Sequence, residues 1–334
     1  NGNWEARLET TGLISFDLGA SPFVGNEPFA TTSSTTSQGR WYHIVASYDE
    51  ADDSYEVYVN GVLEANGISP VDLLDQAAAI LSFGARTGNT EYWQGALRDF
   101  RVYNRHLLPE EIGELSGLIA HWRLNESSGS VADDAGVLDN DATFVSTPTL
   151  GVAGPYPAAT STAVELNGTS QSITSGQSLL NDVSEFTIMG WLRPNSTTND
   201  RSFFGQNDLI ELGIDYASNQ IDLWTASGGS INATIQLPLG KWSHIAATGS
   251  GTELRLYVNG QLVASGGSST SNYGTNSDVF KIGEGVLDPT GDYFDGRVDD
   301  VRVYSRLLCP NDVHAVYKEG RPSGVRIIEW VEAR

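Results

Sequence analysis

The stretch "GRWYHIVASYDEADDSYEVYVNG" that begins at Gly39 is written again, with small changes, as "GKWSHIAATGSGTELRLYVNG" from Gly240. Trp41 matches Trp242, His43 matches His244, and Asn60-Gly61 matches Asn259-Gly260. The parallel resumes further on, where Gly95 matches Gly296, Asp99 matches Asp300 and Tyr103 matches Tyr304. The separation is 201 residues at the Trp, 199 after the intervening loop, and 201 again at the end. A constant framework around a loop of variable length is the mark of one fold present twice. At 334 residues the chain has room for two domains, each with its own core.

The repeated segments read as strands. In "ELRLYVNGQLVASG", Leu254, Leu256 and Val258 alternate with Arg255 and Tyr257, the period of a half-buried strand. The Asn-Gly that follows supplies the positive-φ residues a tight hairpin needs. In "RVDDVRVYSRL", Val301 and Val303 share a face with Asp299, and Asp300, Arg302 and Tyr304 share the other. Helical periodicity is confined to short stretches near Pro109–Leu115 and Pro310–Tyr317. Each copy is therefore expected to be all-β, with two stacked antiparallel sheets.

The pattern W-x-H-[IV], then a Y-V-N-G hairpin, then Y-[FW]-x-G-x-[LV]-x-D-[FV]-R-V-Y-x-R-x-L resembles the closing half of the laminin-G-like jelly roll. That family belongs to the concanavalin A-like lectin/glucanase superfamily. Upstream of the second copy, "LIAHWRLNESSGSVADDAG" resembles the family's opening strand and acidic turn. "AVELNGTSQSI" and "EFTIMGWLRP" resemble later strands, the last with a core Trp. The resemblance implies two concanavalin A-like jelly-roll β-sandwiches. It divides the chain into residues 1–116, a second domain at 117–319 and a tail strand at 320–334.

The copies differ in what precedes them. The second has 124 residues from Leu118 up to Trp242, the first only 40 before Trp41. "WEARLETTGLISFDLGAS" matches "DLIELGIDYASNQIDLWTAS", and nothing earlier in the chain corresponds to Leu118 through about Phe204. The first domain is thus expected to lack its N-terminal strands and to expose sheet edges. Either the chain is part of a longer protein or another segment supplies those strands. The tail "RPSGVRIIEWVEAR" is read as a strand that pairs with its own domain or docks on a partner.

Charge and motifs narrow the chemistry. With 19 basic and 42 acidic residues the net charge is −23, which disfavours nucleic acid and anionic lipid. No apolar run approaches the length that spans a bilayer. The single cysteine, Cys309, excludes an intrachain disulfide and reads as a small buried hydrophobe. The five histidines are His43, His106, His121, His244 and His314. His43 and His244 sit on framework strands and are expected to pack there with one ring nitrogen bonded. No H-E-x-x-H, C-x-x-C or phosphate-cradling loop is present. "ELGID" places Glu211 and Asp215 four apart with no third acid, unlike the E-x-D-x-x-E strand of this superfamily's glucanases. A non-enzymatic role is expected.

Two sites remain. Laminin-G-like domains commonly hold a structural calcium, and the resemblance implies Ca²⁺ at Asp300 with Glu126 or Asp134 and a carbonyl near Gly168. Asp99 is the counterpart of Asp300 in the first copy. The alternative for Asp300 is a surface pair with Arg302 or Arg306. For sugars, Trp224 and Asp222 share one face of "QIDLWTAS", an aromatic platform beside a hydrogen-bonding group. Trp93 reads as core, like its counterpart Phe294. The expected role is adhesion or carbohydrate binding by a secreted or cell-surface protein, with a glycan or another surface protein as partner. The alternatives are a structural unit that self-assembles through its incomplete first domain or its tail, and an accessory region of an extracellular hydrolase.

Overall fold

The computed structural model describes residues 4–18, 30–33, 35–36, 42–49, 51–68, 84, 92–97, 100–136, 138–156, 161–196, 201–214, 220–285 and 292–319. Asp99, Asp215 and the tail at 320–334 lie outside the described residues. The chain divides into two compact units, Asn1–Ser116 and Gly117–Arg334.

In the first unit, β1 (Trp4–Leu8), β2 (Ile14–Leu18) and β3 (Ala30–Thr31) form one antiparallel sheet. A second is made by β4 (Ile44–Asp49), β5 (Ser54–Val59) and β6 (Val62–Ile68). The helix α1 spans Pro109–Ser116. The buried cluster is small, with Phe16, Ala30, Tyr55 and Val57 at its centre.

The second unit opens with the short strands β7 (Leu118–Trp122), β8 (Val131–Ala132), β9 (Ala142–Val145) and β10 (Thr149–Ala153). There follow β11 (Thr162–Asn167), β12 (Ser172–Thr174), β13 (Phe186–Pro194), β14 (Arg201–Gln206) and β15 (Ile210–Ile214). The chain continues through β16 (Ile221–Thr225), β17 (Gly229–Ala233), β18 (Ser243–Gly249), β19 (Leu254–Val258) and β20 (Gln261–Gly266). It ends with β21 (Phe280–Ile282), β22 (Asp295–Tyr304) and α2 (Pro310–Glu319). One sheet runs β10-β11-β22-β13-β18-β19-β20, with β7 also on β22. The other runs β17-β16-β15-β14-β21-β12-β9-β8. Their inner faces meet in one core. Trp122 from the first layer lies 5.6 Å, ring to ring, from Phe280 of the second, and both are fully buried with Phe186, Phe203, Phe204 and Phe294. Each such ring contributes about 1.5–3 kcal/mol through burial. This is the all-β sandwich anticipated. Among the described residues, no helix is long and apolar enough to cross a membrane.

The doubled phrase now has a physical reason. Asn259 Oδ1 accepts the backbone N–H of His244 at 3.0 Å, and the Asn259 N–H donates to the His244 carbonyl at 2.8 Å. Asn60 makes the same two bonds with His43, at 3.0 and 2.7 Å. Both asparagines are left-handed, with φ of +53° and +52°, a conformation Asn tolerates and the following Gly completes. Both hairpins also slip register at the same place, Val57/Tyr58 and Leu256/Tyr257. The conserved letters thus describe how one strand hands over to the next.

One expectation needs correction. In β22 the strict alternation breaks, because the register with β13 slips between Met189 and Trp191. Asp300, at φ +50°, is the left-handed residue of that bulge. Val298, Val301 and Val303 consequently all enter the core, although a straight strand would put Val298 opposite the other two.

Candidate functional site

The outer face of the second sheet at β15, β16 and β17 is built by register. Ile210, Leu212, Ile221, Leu223, Ile231 and Ala233 turn inward, so the residues between them turn out. Glu211 pairs across to Trp224, and Trp224 to Ser230; Gly213 pairs to Asp222, and Asp222 to Asn232. Trp224 and Asp222 are half-buried, whereas Ser230 and Asn232 are exposed. With its amide turned to donate, Asn232 reaches Asp222 Oδ1 at 2.6 Å. The structure therefore places Trp224 and Asp222 together, as the alternation implied.

Glu211 joins them unannounced. It is 7% exposed, and its Oε1 accepts the Asp208 N–H at 2.6 Å. Burial, reinforced by the charges of Asp208, Asp222 and Asp292, pushes its carboxyl up to about 7. Near neutral pH this side chain is partly protonated and can donate a hydrogen bond. The signal for it was available in the hairpin spacing of "IELGIDYASNQIDLWT", which sets Glu211 opposite Trp224.

At the second candidate site, Asp300 is buried, and its carboxylate is matched by the protein's own donors. Oδ1 accepts from His121 Nε2 at 2.6 Å and Arg302 Nε at 3.1 Å. Oδ2 accepts from the Arg302 guanidinium and the Tyr156 hydroxyl, each at 3.2 Å. Burial works against the charge, but Arg302 and the His121 hydrogen bond outweigh it and hold the Asp300 carboxyl far below its usual range. Burial, then the nearby Arg302 charge, keeps His121 neutral. The pair with Arg302 stands as one alternative had it, although it is buried rather than superficial.

The other expected calcium ligands are likewise engaged. Asp134 Oδ1 accepts N–H groups from His121 and Gly136 at 2.7 and 2.8 Å, and Oδ2 accepts one from Asn140 at 2.9 Å. The Gly168 carbonyl accepts from Arg201 at 3.4 Å. Gly168 itself has φ +69°, and a Cβ there would lie 2.6 Å from that of Asp295. Glu126 Oε1 accepts the Asp133 N–H at 3.0 Å, while its buried Oε2 has no partner among the described residues. Asp299, which the alternation put on the face of Val301 and Val303, is 3% exposed. Burial, then the charges of Asp300 and Glu126, push its carboxyl up to about 9. Among the described residues, no three His, Cys, Asp or Glu side chains converge as a metal-holding group. Burial thus favours the protonated, uncharged form of both Glu126 and Asp299 at this corner.

Several framework residues depart from expectation. His244 is fully buried, and among the described residues neither ring nitrogen is hydrogen-bonded. It packs instead against Trp191 (5.3 Å) and Tyr317 of α2 (6.1 Å), and burial pushes it down to about 3. Trp93 is 45% exposed where Phe294 is fully buried, because no described strand covers it. Cys309 is half-buried at the start of α2, its thiol donating to Asp312 at 3.1 Å.

Known proteins of this shape can now be set beside it. A solved structure of domain 4 of AbnA, a GH43 extracellular arabinanase from Geobacillus stearothermophilus in complex with arabinotriose, is similar at 21% identity. That match covers 60% of this chain and 98% of the domain, with a TM-score of 0.44. The binding domain of Paraclostridial Mosquitocidal Protein 1 is 15% identical over 61% of this chain and 52% of its own, with a TM-score of 0.47. The Trypanosoma rangeli sialidase is 18% identical over 60% of this chain and 32% of its own, at 0.43. The sequence profile of the Laminin_G_3 family matches residues 1–113 and 167–314, most of the chain and both copies of the repeated phrase. The chain belongs to the Laminin_G_3 family of the concanavalin A-like lectin/glucanases superfamily.

Proposed function

We propose that this protein is a non-catalytic carbohydrate-binding module, and that the second unit takes an uncharged glycan on the outer face of β15, β16 and β17. The observation that supports it is the half-buried Trp224 with Asp222, Asn232 and Glu211 arranged around it by strand register. A pyranose offers C–H groups on one face and hydroxyls at its rim. The indole takes the face, and the carboxylates and amide take the rim. The lectins in the superfamily's description bring carbohydrate to the fold by analogy. The ligand class follows from charge: Glu211 already responds to Asp208, Asp222 and Asp292, and a net charge of −23 opposes anionic sugars. Such a ligand fits a secreted or cell-surface protein, in adhesion or as the accessory region of a larger hydrolase. Calcium enters the proposal only as a structural ion at Glu126, whose buried Oε2 lacks a partner among the described residues.

A glycan array followed by titration calorimetry tests this. A neutral oligosaccharide should bind, and Trp224→Ala should weaken it by at least about tenfold while leaving the unfolding midpoint nearly unchanged. The titrations and melts are repeated in Ca²⁺ and in EDTA, where calcium should raise the midpoint by several degrees through mass action. If no neutral glycan binds, or if Trp224→Ala binds as well as the parent, the sugar site is wrong. If the midpoint ignores both calcium and chelator, the ion is removed from the proposal.

A further inference from the structure

In the second unit, strand register surrounds one buried carboxyl with others. Glu211 on β15 faces Gly205 of β14 on one side and Trp224 of β16 on the other. Gly205 offers no side chain, and across it stands Lys281 of β21, whose ammonium lies 3.7 Å from Glu284 Oε1. Asp208, in the turn between β14 and β15, and Asp292, just ahead of β22, add their charges to that of Asp222 on β16. Asp292 is itself buried, accepting from the Ser202 hydroxyl and the Gly285 N–H. Among the described residues, the charged groups around Glu211 are thus three acids and one lysine that already has an acid beside it. Glu211 has a single hydrogen bond there, from the Asp208 N–H to Oε1.

We infer, on the footing of the glycan site proposed above, that this site is proton-gated: Glu211 enters it as an uncharged acid, so the glycan and a proton bind together. A sugar stacked on Trp224 takes the remaining water away from its cross-strand neighbour Glu211, which is already only 7% exposed. Sealing an ionised carboxylate among three other acids costs far more than sealing its protonated form. Covering the face therefore favours protonation, and by reciprocity protonation favours covering. The protonated side chain also donates to a sugar oxygen, a bond the carboxylate cannot make. In the uncovered site, burial and then the Asp208, Asp222 and Asp292 charges already push the carboxyl up to about 7. The gate works on either side of neutral pH, and its direction is fixed. Affinity falls as pH rises.

Titration calorimetry of the full chain reads the coupling, with the tightest neutral oligosaccharide from the array as probe. It is run at pH 6, 7 and 8 in buffers of different ionisation enthalpy. Binding should be about fivefold tighter at pH 6 than at pH 8, with a fraction of a proton taken up between pH 7 and 8. Glu211→Gln keeps the Oε1 acceptor for the Asp208 N–H, and it should bind with a flat pH profile and no proton uptake. The proton count in the unsubstituted chain decides by itself if that variant does not fold. If the oligosaccharide binds through Trp224 but its affinity is level from pH 6 to 8, or rises with pH, the gate is wrong and the sugar site survives. Proton uptake that persists in folded Glu211→Gln also overturns the gate. If no neutral glycan binds at any of these pH values, the sugar site and its gate fall together.

Discussion

The chain carries the same motif, G-x-L/V-x-D-x-R-V-Y, in two units with opposite fates. In the second unit it is β22, with β13 along one side and β11 and β7 in succession along the other. Its valines are fully buried. In the first unit the described part of the motif lies exposed, including Val102 at 59% and Tyr103 at 41%. The side chains are almost the same and only their neighbours differ. A strand's alternation specifies which residues can be covered, while burial itself comes from strands far away in sequence. Most of the hydrophobic stabilisation attributed to such a motif is a property of its surroundings.

That contrast can be broken with one matched pair of substitutions. Val303→Asp buries an unpaired carboxylate and should cost the second unit on the order of 5 kcal/mol or more. Val102→Asp should change the first unit by no more than about 0.5 kcal/mol. Urea unfolding with amide exchange resolved by unit reads both, and equal costs would mean that Val102 is covered in solution.

A smaller effect is expected at Asp300, whose removal strands the Arg302 and His121 donors in a buried site. Asp300→Ala should cost the second unit about 3 kcal/mol, the low end for a broken buried pair, since the Arg302 side chain keeps 15% exposure. If that cost appears only when calcium is present, the metal reading of Asp300 replaces the ion-pair reading.

The smallest effect comes from His244. The folded pKa of His244 is lowered to about 3, so the neutral ring's contribution is present above the unfolded value of about 6.5 and is lost as pH falls. Between pH 7 and 5 this removes roughly 2 kcal/mol from the second unit. His244→Phe, which keeps the aromatic contacts with Trp191 and Tyr317, should flatten that slope.

Much of this fold was legible because its signals are local. The Asn-Gly hairpins, the alternation of β16 and β19 and the short helices after Pro109 and Pro310 each follow from a few adjacent residues. Trp224 and Asp222 came together for the same reason. What escaped depends on register between distant strands. The bulge at Asp300 arises from fitting β22 to β13, so the capture of Asp300 by His121 and Tyr156 could not be read along one strand. His121 stands 179 residues from Asp300. Trp93 shows the converse: its sequence matches a core position, but core is conferred by partners.

The pairing of β7 with β22 has a mechanical consequence. Leu118 faces Tyr304 and Trp122 faces Val301, and the Ser305 N–H closes the ladder onto the Gly117 carbonyl at 2.8 Å. The polypeptide therefore enters and leaves the sandwich side by side. Tension applied at those two points, once α2 peels away, loads the rungs one after another from the Gly117 end, as a zip rather than a shear joint. A domain loaded at those points is expected to yield rung by rung and to close again by the same rungs.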